Sequence, residues 1–92
     1  MNALNKTYQE YRDAVIRFLN DYEETVSEHI IQIMISVMMT RDNLIQGGSF
    51  VQAVVDNNLR KAVSRADAEC MKHLRIIALC ANDCYVEIEQ DV

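Results

Sequence analysis

The chain of 92 residues contains no proline and only two glycines, which stand together at Gly47 and Gly48. Proline and glycine are the residues that most often interrupt regular structure. A chain with one such interruption favours long helices on both sides of it. We therefore predict an all-α fold, a small bundle of three to four helices that forms a single helical domain over residues 1–92.

Apolar residues recur at helical spacing in the first half of the chain, at Tyr11, Val15, Phe18, Tyr22 and Val26. This is one face of a helix. Thr7-x-x-Glu10 and Thr25-x-x-Glu28 both have the pattern of a capping box, which starts a helix. Residues 7–45 could form one bent helix or two, and the low helix propensity of Thr25, Val26 and Ser27 favours a break near residue 24.

The stretch Ile30–Met39 is apolar almost all round. Such a helix is either the centre of the bundle, or half of it faces a partner such as a second copy of the chain. We predict that the methionines of this stretch, and Met71, fill the core rather than form an adaptable binding groove. About ten apolar residues are too few to cross a membrane, which needs about 20. Residues 1–6 have no apolar signal-peptide core, so we expect a cytoplasmic protein without membrane contact.

We predict that the glycine pair ends the preceding helix in a left-handed conformation and that Ser49-x-x-Gln52 starts the next one. The apolar face of that helix comprises Phe50, Val51, Val54, Val55, Leu59, Ala62 and Val63. A final helix, capped by Ser64 or Asp67, carries Met71, Leu74, Ile77, Ala78 and Ala81. The alternating segment 84–89 predicts a short extended C-terminal segment.

The cysteines, Cys70, Cys80 and Cys84, include no C-x-x-C pair, and His29 is distant from them in sequence. We predict reduced, structural cysteines, with no metal and no cofactor. Cys70 and His73 form the only local nucleophile–base pair, and no third group orients them. The chain also lacks a phosphate-binding glycine loop, so the sequence predicts no enzyme.

Charge is divided along the chain, whose net charge is −5. Residues 10–28 hold six acids and two arginines, a local charge of −4, whereas residues 59–75 hold five bases and two acids, a local charge of +3. The two groups could pair across the bundle. Alternatively, the acidic face could bind a Lys- and Arg-rich partner and the basic face could contact an RNA backbone. The acidic face comprises Asp13, Asp21, Glu23, Glu24 and Glu28, and the basic face comprises Arg60, Lys61, Arg65, Lys72 and Arg75.

The segment Gly47-Gly48-Ser49-Phe50-Val51-Gln52-Ala53-Val54, followed by Leu59, Ala62 and Arg65-Ala66-Asp67, resembles a Gly-Gly-Ser-Phe-Val-x-Ala…Ala-Asp pattern of small accessory proteins of bacteriophages and prophages. The resemblance covers about twenty residues of the chain. This sequence departs from the pattern in two ways: the interval between Phe50 and Asp67 is longer, and the aromatic-proline ending is missing. The pattern is architectural and names no active site.

In length, acidity and lack of a catalytic constellation the chain also resembles phage-encoded anti-CRISPR proteins, such as those acting on type I-F complexes. That resemblance implies an inhibitor that docks on a Cas protein–crRNA complex in the host cytoplasm, as a monomer or homodimer, and blocks target DNA. One alternative is a helix-turn-helix regulator with helices near 49–63 and 66–82, although the second would begin with Asp67 and Glu69, which repel phosphate. Another is a homo-oligomeric structural module of the phage.

Overall fold

A computed structural model describes residues 3–86, with side chains from Tyr8 onward. Within this range the chain is all-α, which confirms the predicted fold class. The helices are α1 (Ala3–Asp21), α2 (Glu28–Arg41), α3 (Ser49–Val55), α4 (Leu59–Arg65), α5 (Ala68–Lys72) and α6 (Leu74–Asp83). There are more helices than predicted because each of the two long helices expected after Gly48 is divided. No helix among residues 3–86 has the length and apolar character needed to cross a membrane.

The break between α1 and α2 confirms the interruption predicted near residue 24. Glu23 adopts a left-handed conformation, with φ 55°. The amides of Glu23 and Glu24 donate to the carbonyls of Asn20 and Leu19, at 3.1 and 2.9 Å, which closes the last turn of α1. Both predicted capping boxes were wrong: α1 begins at Ala3, ahead of Thr7, and the hydroxyl of Ser27 rather than of Thr25 caps α2 by accepting from the amide of Ile30.

Helix α2 is the central helix, in contact with α1, α3 and α6. Seven of its residues are buried, namely Ile30, Met34, Ile35, Val37, Met38, Met39 and Thr40. This confirms the central placement of the apolar segment and the core role of its methionines, whereas Met71 is exposed. The apolar face predicted for α1 is confirmed at Tyr11, Val15 and Phe18, which are buried. Tyr22 of the same predicted face is exposed.

The glycine pair does not end α2 as predicted. The helix ends at Arg41, and Asn43 takes the left-handed conformation with φ 65°, whereas neither glycine has positive φ. Gly47 instead allows a close approach, because a Cβ there would lie 2.5 Å from Cγ1 of Val51 and 2.8 Å from Oγ1 of Thr40. Gly48 precedes α3 in an extended conformation, so Ser49 is the first helical residue and not its cap.

Asparagine and aspartate divide the second half of the chain. Asn57, with φ 58°, ends α3, and the side chain of Asn58 caps α4 by accepting from the amide of Lys61 at 3.1 Å. Leu59 is therefore 68% exposed at the start of α4, not part of a continuous apolar face, and Val63 is exposed as well. Asp67 caps α5, which confirms one of the two predicted caps. Residues 84–86 have no regular structure, and 87–89 of the predicted extended segment lie outside the described residues.

Arg41 joins the end of α2 to the end of α6. Its guanidinium donates to the carbonyls of Ala81 and Cys84 at 3.2 and 2.6 Å and lies 4.4 Å from the centre of the Tyr85 ring. It also pairs with Asp42, which accepts a 2.5 Å hydrogen bond from the hydroxyl of Tyr11 on α1. Burial, and then this hydrogen bond, raise the pKa of Tyr11 to about 12. Three helices are thus held together around one cation.

Candidate functional site

The predicted acidic face follows α1 and its connection to α2. Asp13 and Asp21 lie on α1, Glu23 and Glu24 lie in the connection, and Glu28 is the first residue of α2. All are exposed except Glu24, which is half-buried. The side chain of Asp13 accepts a hydrogen bond from Gln9 at 3.1 Å.

The charge of Glu28 is used within the chain. Its two oxygens accept from the two terminal nitrogens of Arg12 at 2.6 and 2.9 Å, and one also accepts from Gln32 at 2.8 Å. The hydrogen bonds from Arg12 and then Gln32 lower the pKa of Glu28 to about 2. This two-pronged pair joins α1 to α2, so Glu28 has a structural role that the sequence did not indicate.

We define the acidic segment as Asp21, Glu23 and Glu24, which lie at the end of α1 and just after it. Glu23 is an unusual residue for its backbone conformation, because a left-handed residue other than glycine, asparagine or aspartate is strained. The chain places asparagine at its two other left-handed positions, Asn43 and Asn57. The strain makes Glu23 a candidate functional residue, because strained residues cluster at functional sites.

The basic face is spread over three helices. Arg60, Lys61 and Arg65 lie on α4, Lys72 on α5 and Arg75 on α6, and all five are exposed. The ion pair formed by Glu28 is with Arg12, inside the acidic region, and so does not join the two charged faces.

A further cluster, absent from the sequence prediction, lies where the start of α2 meets the start of α5. We call His29, Asp67 and Cys70 the junction cluster. Nε2 of His29 lies 3.0 Å from Oδ2 of Asp67, and the other oxygen of Asp67 accepts from the amide of Cys70 at 2.7 Å. Beside it the hydroxyl of Ser27 donates to the carboxylate of Glu69.

The junction cluster has the residue types of a nucleophilic triad but not its chemistry. Cys70 is only 2% exposed. Burial, and then the neighbouring Asp67, raise the pKa of its thiol to about 11, so it stays protonated at neutral pH. An attacking cysteine needs a lowered pKa and access to substrate. His73, the base that the sequence placed beside Cys70, is not the histidine of this cluster.

The remaining cysteines lie in the core, as predicted for structural residues. Cys80 and Cys84 are buried, and their sulfurs lie 3.9 Å from the carbonyl oxygen of Met34 and 3.6 Å from that of Ala14. The hydrogen bond with Cys84, and then burial, raise the pKa of Cys80. These thiols fill space between α1, α2 and α6.

Comparisons with protein-family models, with curated proteins and with solved structures gave no match for this chain.

Proposed function

We propose that this protein is a non-catalytic inhibitor, encoded by a phage, that binds a bacterial Cas protein–crRNA surveillance complex and blocks its access to target DNA. The acidic segment forms the main contact in this proposal. The observation that carries it is Glu23, an exposed carboxylate held in a left-handed conformation between two other acids.

Electrostatics explain how such a surface could inhibit. Proteins that hold DNA neutralise its phosphates with lysine and arginine, and that neutralisation supplies much of the affinity. Carboxylates on a small rigid helix end can occupy the same cations and steer association from a distance. The ordered end of α1 fixes the backbone that carries these carboxylates, which limits the entropy lost on binding.

A competition experiment tests the proposal. The purified chain is added to a type I-F surveillance complex, and binding of the chain and of a labelled target DNA duplex is measured at low and moderate salt. The triple substitution Asp13→Lys, Asp21→Lys and Glu23→Lys is expected to weaken binding of the chain at least tenfold at low salt, with a smaller effect at moderate salt.

Two single variants form a matched control. Glu23 and Asp56 are both exposed carboxylates just after a helix, so Glu23→Lys and Asp56→Lys change the net charge equally. We expect Glu23→Lys to weaken the complex by severalfold more than Asp56→Lys. Equal effects would mean that net charge, and not the acidic segment, determines affinity.

The other candidate functions predict different results. A DNA-binding regulator would bind duplex DNA by itself and lose that binding on reversal of Arg60 and Lys61. The two segments expected to form its helices, 49–63 and 66–82, are divided into four short helices. The second of these segments begins with Asp67 and Glu69, which repel phosphate. If the chain leaves DNA binding by the surveillance complex unchanged at saturating concentration, the inhibitor proposal is wrong.

A further inference from the structure

The junction cluster brings together three metal-binding residue types from two distant parts of the chain. The ligand atoms of His29, Asp67 and Cys70 all lie within 4.8 Å of one another. His29 and Asp67 are 38 residues apart in sequence, so no short metal-binding motif in the sequence predicts this cluster. We propose that these three side chains form a binding site for a divalent transition-metal ion, and that Zn²⁺ is the ion this donor set suits best.

The donor chemistry selects the ion. Zn²⁺ is bound by cysteine sulfur, histidine nitrogen and carboxylate oxygen, whereas Mg²⁺ and Ca²⁺ take oxygen donors. A tetrahedral ion with bonds of about 2.0–2.3 Å has ligands roughly 3.3–3.8 Å apart. The ligand atoms lie within 4.8 Å of one another, so the widest separation needs to shorten by no more than about 1 Å, whereas the 3.0 Å between His29 and Asp67 lengthens slightly. The side chains of His29 and Asp67 are 48% and 55% exposed and have room to rotate.

Binding would exchange protons for the metal. The Cys70 sulfur loses its proton to the solvent and forms a bond to the ion. Nε2 of His29 carries a proton where it faces the Asp67 carboxylate, so this proton also leaves to the solvent, and the neutral ring keeps its proton on Nδ1 while Nε2 binds the ion. The other Asp67 oxygen can keep the amide of Cys70, since each carboxylate oxygen is a separate acceptor. Three protein ligands leave one coordination position on the exposed side, for water or a partner group.

The site would clamp two elements of the fold. His29 lies in the first turn of α2, and Asp67 caps α5, so the ion would join the central helix to the C-terminal half beside the Ser27–Glu69 hydrogen bond. A ligand that binds only the folded chain raises its melting temperature with concentration. This inference does not depend on the proposed inhibitor function.

The test uses the chain freed of metal by a chelator and kept reduced by a phosphine. Zn²⁺ is titrated calorimetrically, and Co²⁺ is used as an optical probe, because cobalt bound to thiolate gives a sulfur-to-metal charge-transfer band. We expect one equivalent of Zn²⁺ to bind and to raise Tm. Co²⁺ should give a thiolate band and tetrahedral visible bands that added Zn²⁺ removes.

Variants locate the site. His29→Gln and Asp67→Asn are each expected to weaken Zn²⁺ binding at least tenfold. Asparagine caps helices as well as aspartate does, so Asp67→Asn removes a ligand charge without removing the cap of α5. The matched control is His73→Gln, which changes the only other histidine and the one closest to Cys70 in sequence. It should bind Zn²⁺ as the unmodified chain does.

Each of the following results would overturn the proposal: no heat and no Tm shift with Zn²⁺, a cobalt complex without a thiolate band, or unchanged affinity in His29→Gln. The cobalt spectrum needs no substitution, so the outcome does not depend on whether a variant folds. Loss of binding in His73→Gln alone would place the metal elsewhere and also refute this site.

Discussion

Individual residues determine where the helices of this chain end. Glu23, Asn43 and Asn57 adopt left-handed conformations, with φ of 55, 65 and 58°. In each case the amide of the left-handed residue and the amide of the residue after it donate to carbonyls of the last turn, which closes the helix. Asparagine tolerates this conformation, whereas glutamate is strained in it by about 1 kcal/mol or more relative to glycine.

Replacing Glu23 by glycine should therefore separate stability from function. We expect Glu23→Gly to raise the free energy of unfolding by about 0.5–1 kcal/mol, since the relief of strain exceeds the added chain entropy. The same change should weaken the proposed partner complex. Urea unfolding and the competition experiment measure the two effects.

The neighbouring residue supplies the control. Glu24 does not have positive φ, so Glu24→Gly removes an equal charge but relieves no strain. It should lower stability by about 0.5–1 kcal/mol. If both glycine variants lose stability, the strain at Glu23 is absent in solution.

The glycine pair makes a second contrast between adjacent residues. Gly47→Ala would place a methyl group 2.5 Å from Cγ1 of buried Val51, so we expect a loss of about 1–3 kcal/mol. Gly48→Ala meets nothing within 4 Å and should cost less than about 1 kcal/mol. Thermal unfolding of the two variants measures the difference, and equal stabilities would contradict the close approach.

At this scale the sequence identified the right residues for partly wrong reasons. Gly47 is needed at its position, but for contact with Val51 and Thr40 rather than for positive φ. Asn43, and not a glycine, is the left-handed residue that follows α2. Local patterns show that a turn is required, but the close approach of two side chains depends on how α2 meets α3.

Elements pack as the apolar pattern predicted, with α2 in the middle and α1 joined to it by the Arg12–Glu28 pair. The break at Thr25–Ser27 followed from helix propensity. The interruptions of the second half of the chain at Asn57 and His73 did not follow from helix propensity. Two adjacent asparagines are nevertheless a local signal for one helix end and the next helix start, because asparagine tolerates a left-handed conformation and also caps helices. The junction cluster could not be foreseen, since it depends on α5 lying against the start of α2.

The Arg12–Glu28 pair predicts a pH dependence. The pKa of Glu28 is about 2 in the folded chain against an ordinary value of 4.5, so its contribution to stability is complete above about pH 4.5 and is lost as pH falls towards 2. Wild-type protein should lose stability in that range more steeply than Glu28→Gln.

Circular dichroism melts between pH 7 and pH 2.5 measure this difference. Asp42 and Asp67 also have lowered pKa values and contribute in the same direction, but they are present in both proteins and cancel in the comparison. Parallel curves for the two proteins would show that the ion pair adds nothing in solution.

In the whole molecule the most apolar segment, Ile30–Met39 of α2, packs mainly against other helices of the same chain. The sequence left open whether α2 faces the core or a second copy of the chain, and seven of its fourteen residues are buried among the chain's own helices. On its outer side lie the exposed polar residues Glu28, His29 and Gln32. The composition predicts a small helical domain, but only the packing shows that α2 has little apolar surface left to share.

We therefore expect a monomer, with a mass near 10.6 kDa by light scattering over a wide concentration range. Among the large apolar side chains of residues 8–86 the most exposed is Leu59, and Val63 lies one turn later on α4. These two side chains of α4 offer far less than the roughly 800 Å² per partner that a stable interface buries, and the other exposed large apolar side chains lie on other elements, at Tyr22, Leu44, Ile45, Met71 and Tyr85. Leu59→Glu with Val63→Glu should leave both mass and Tm nearly unchanged, since exposed substitutions usually alter stability by less than about 0.5 kcal/mol. A dimeric mass that this double variant reduces to that of one chain would contradict the prediction and place an interface on α4.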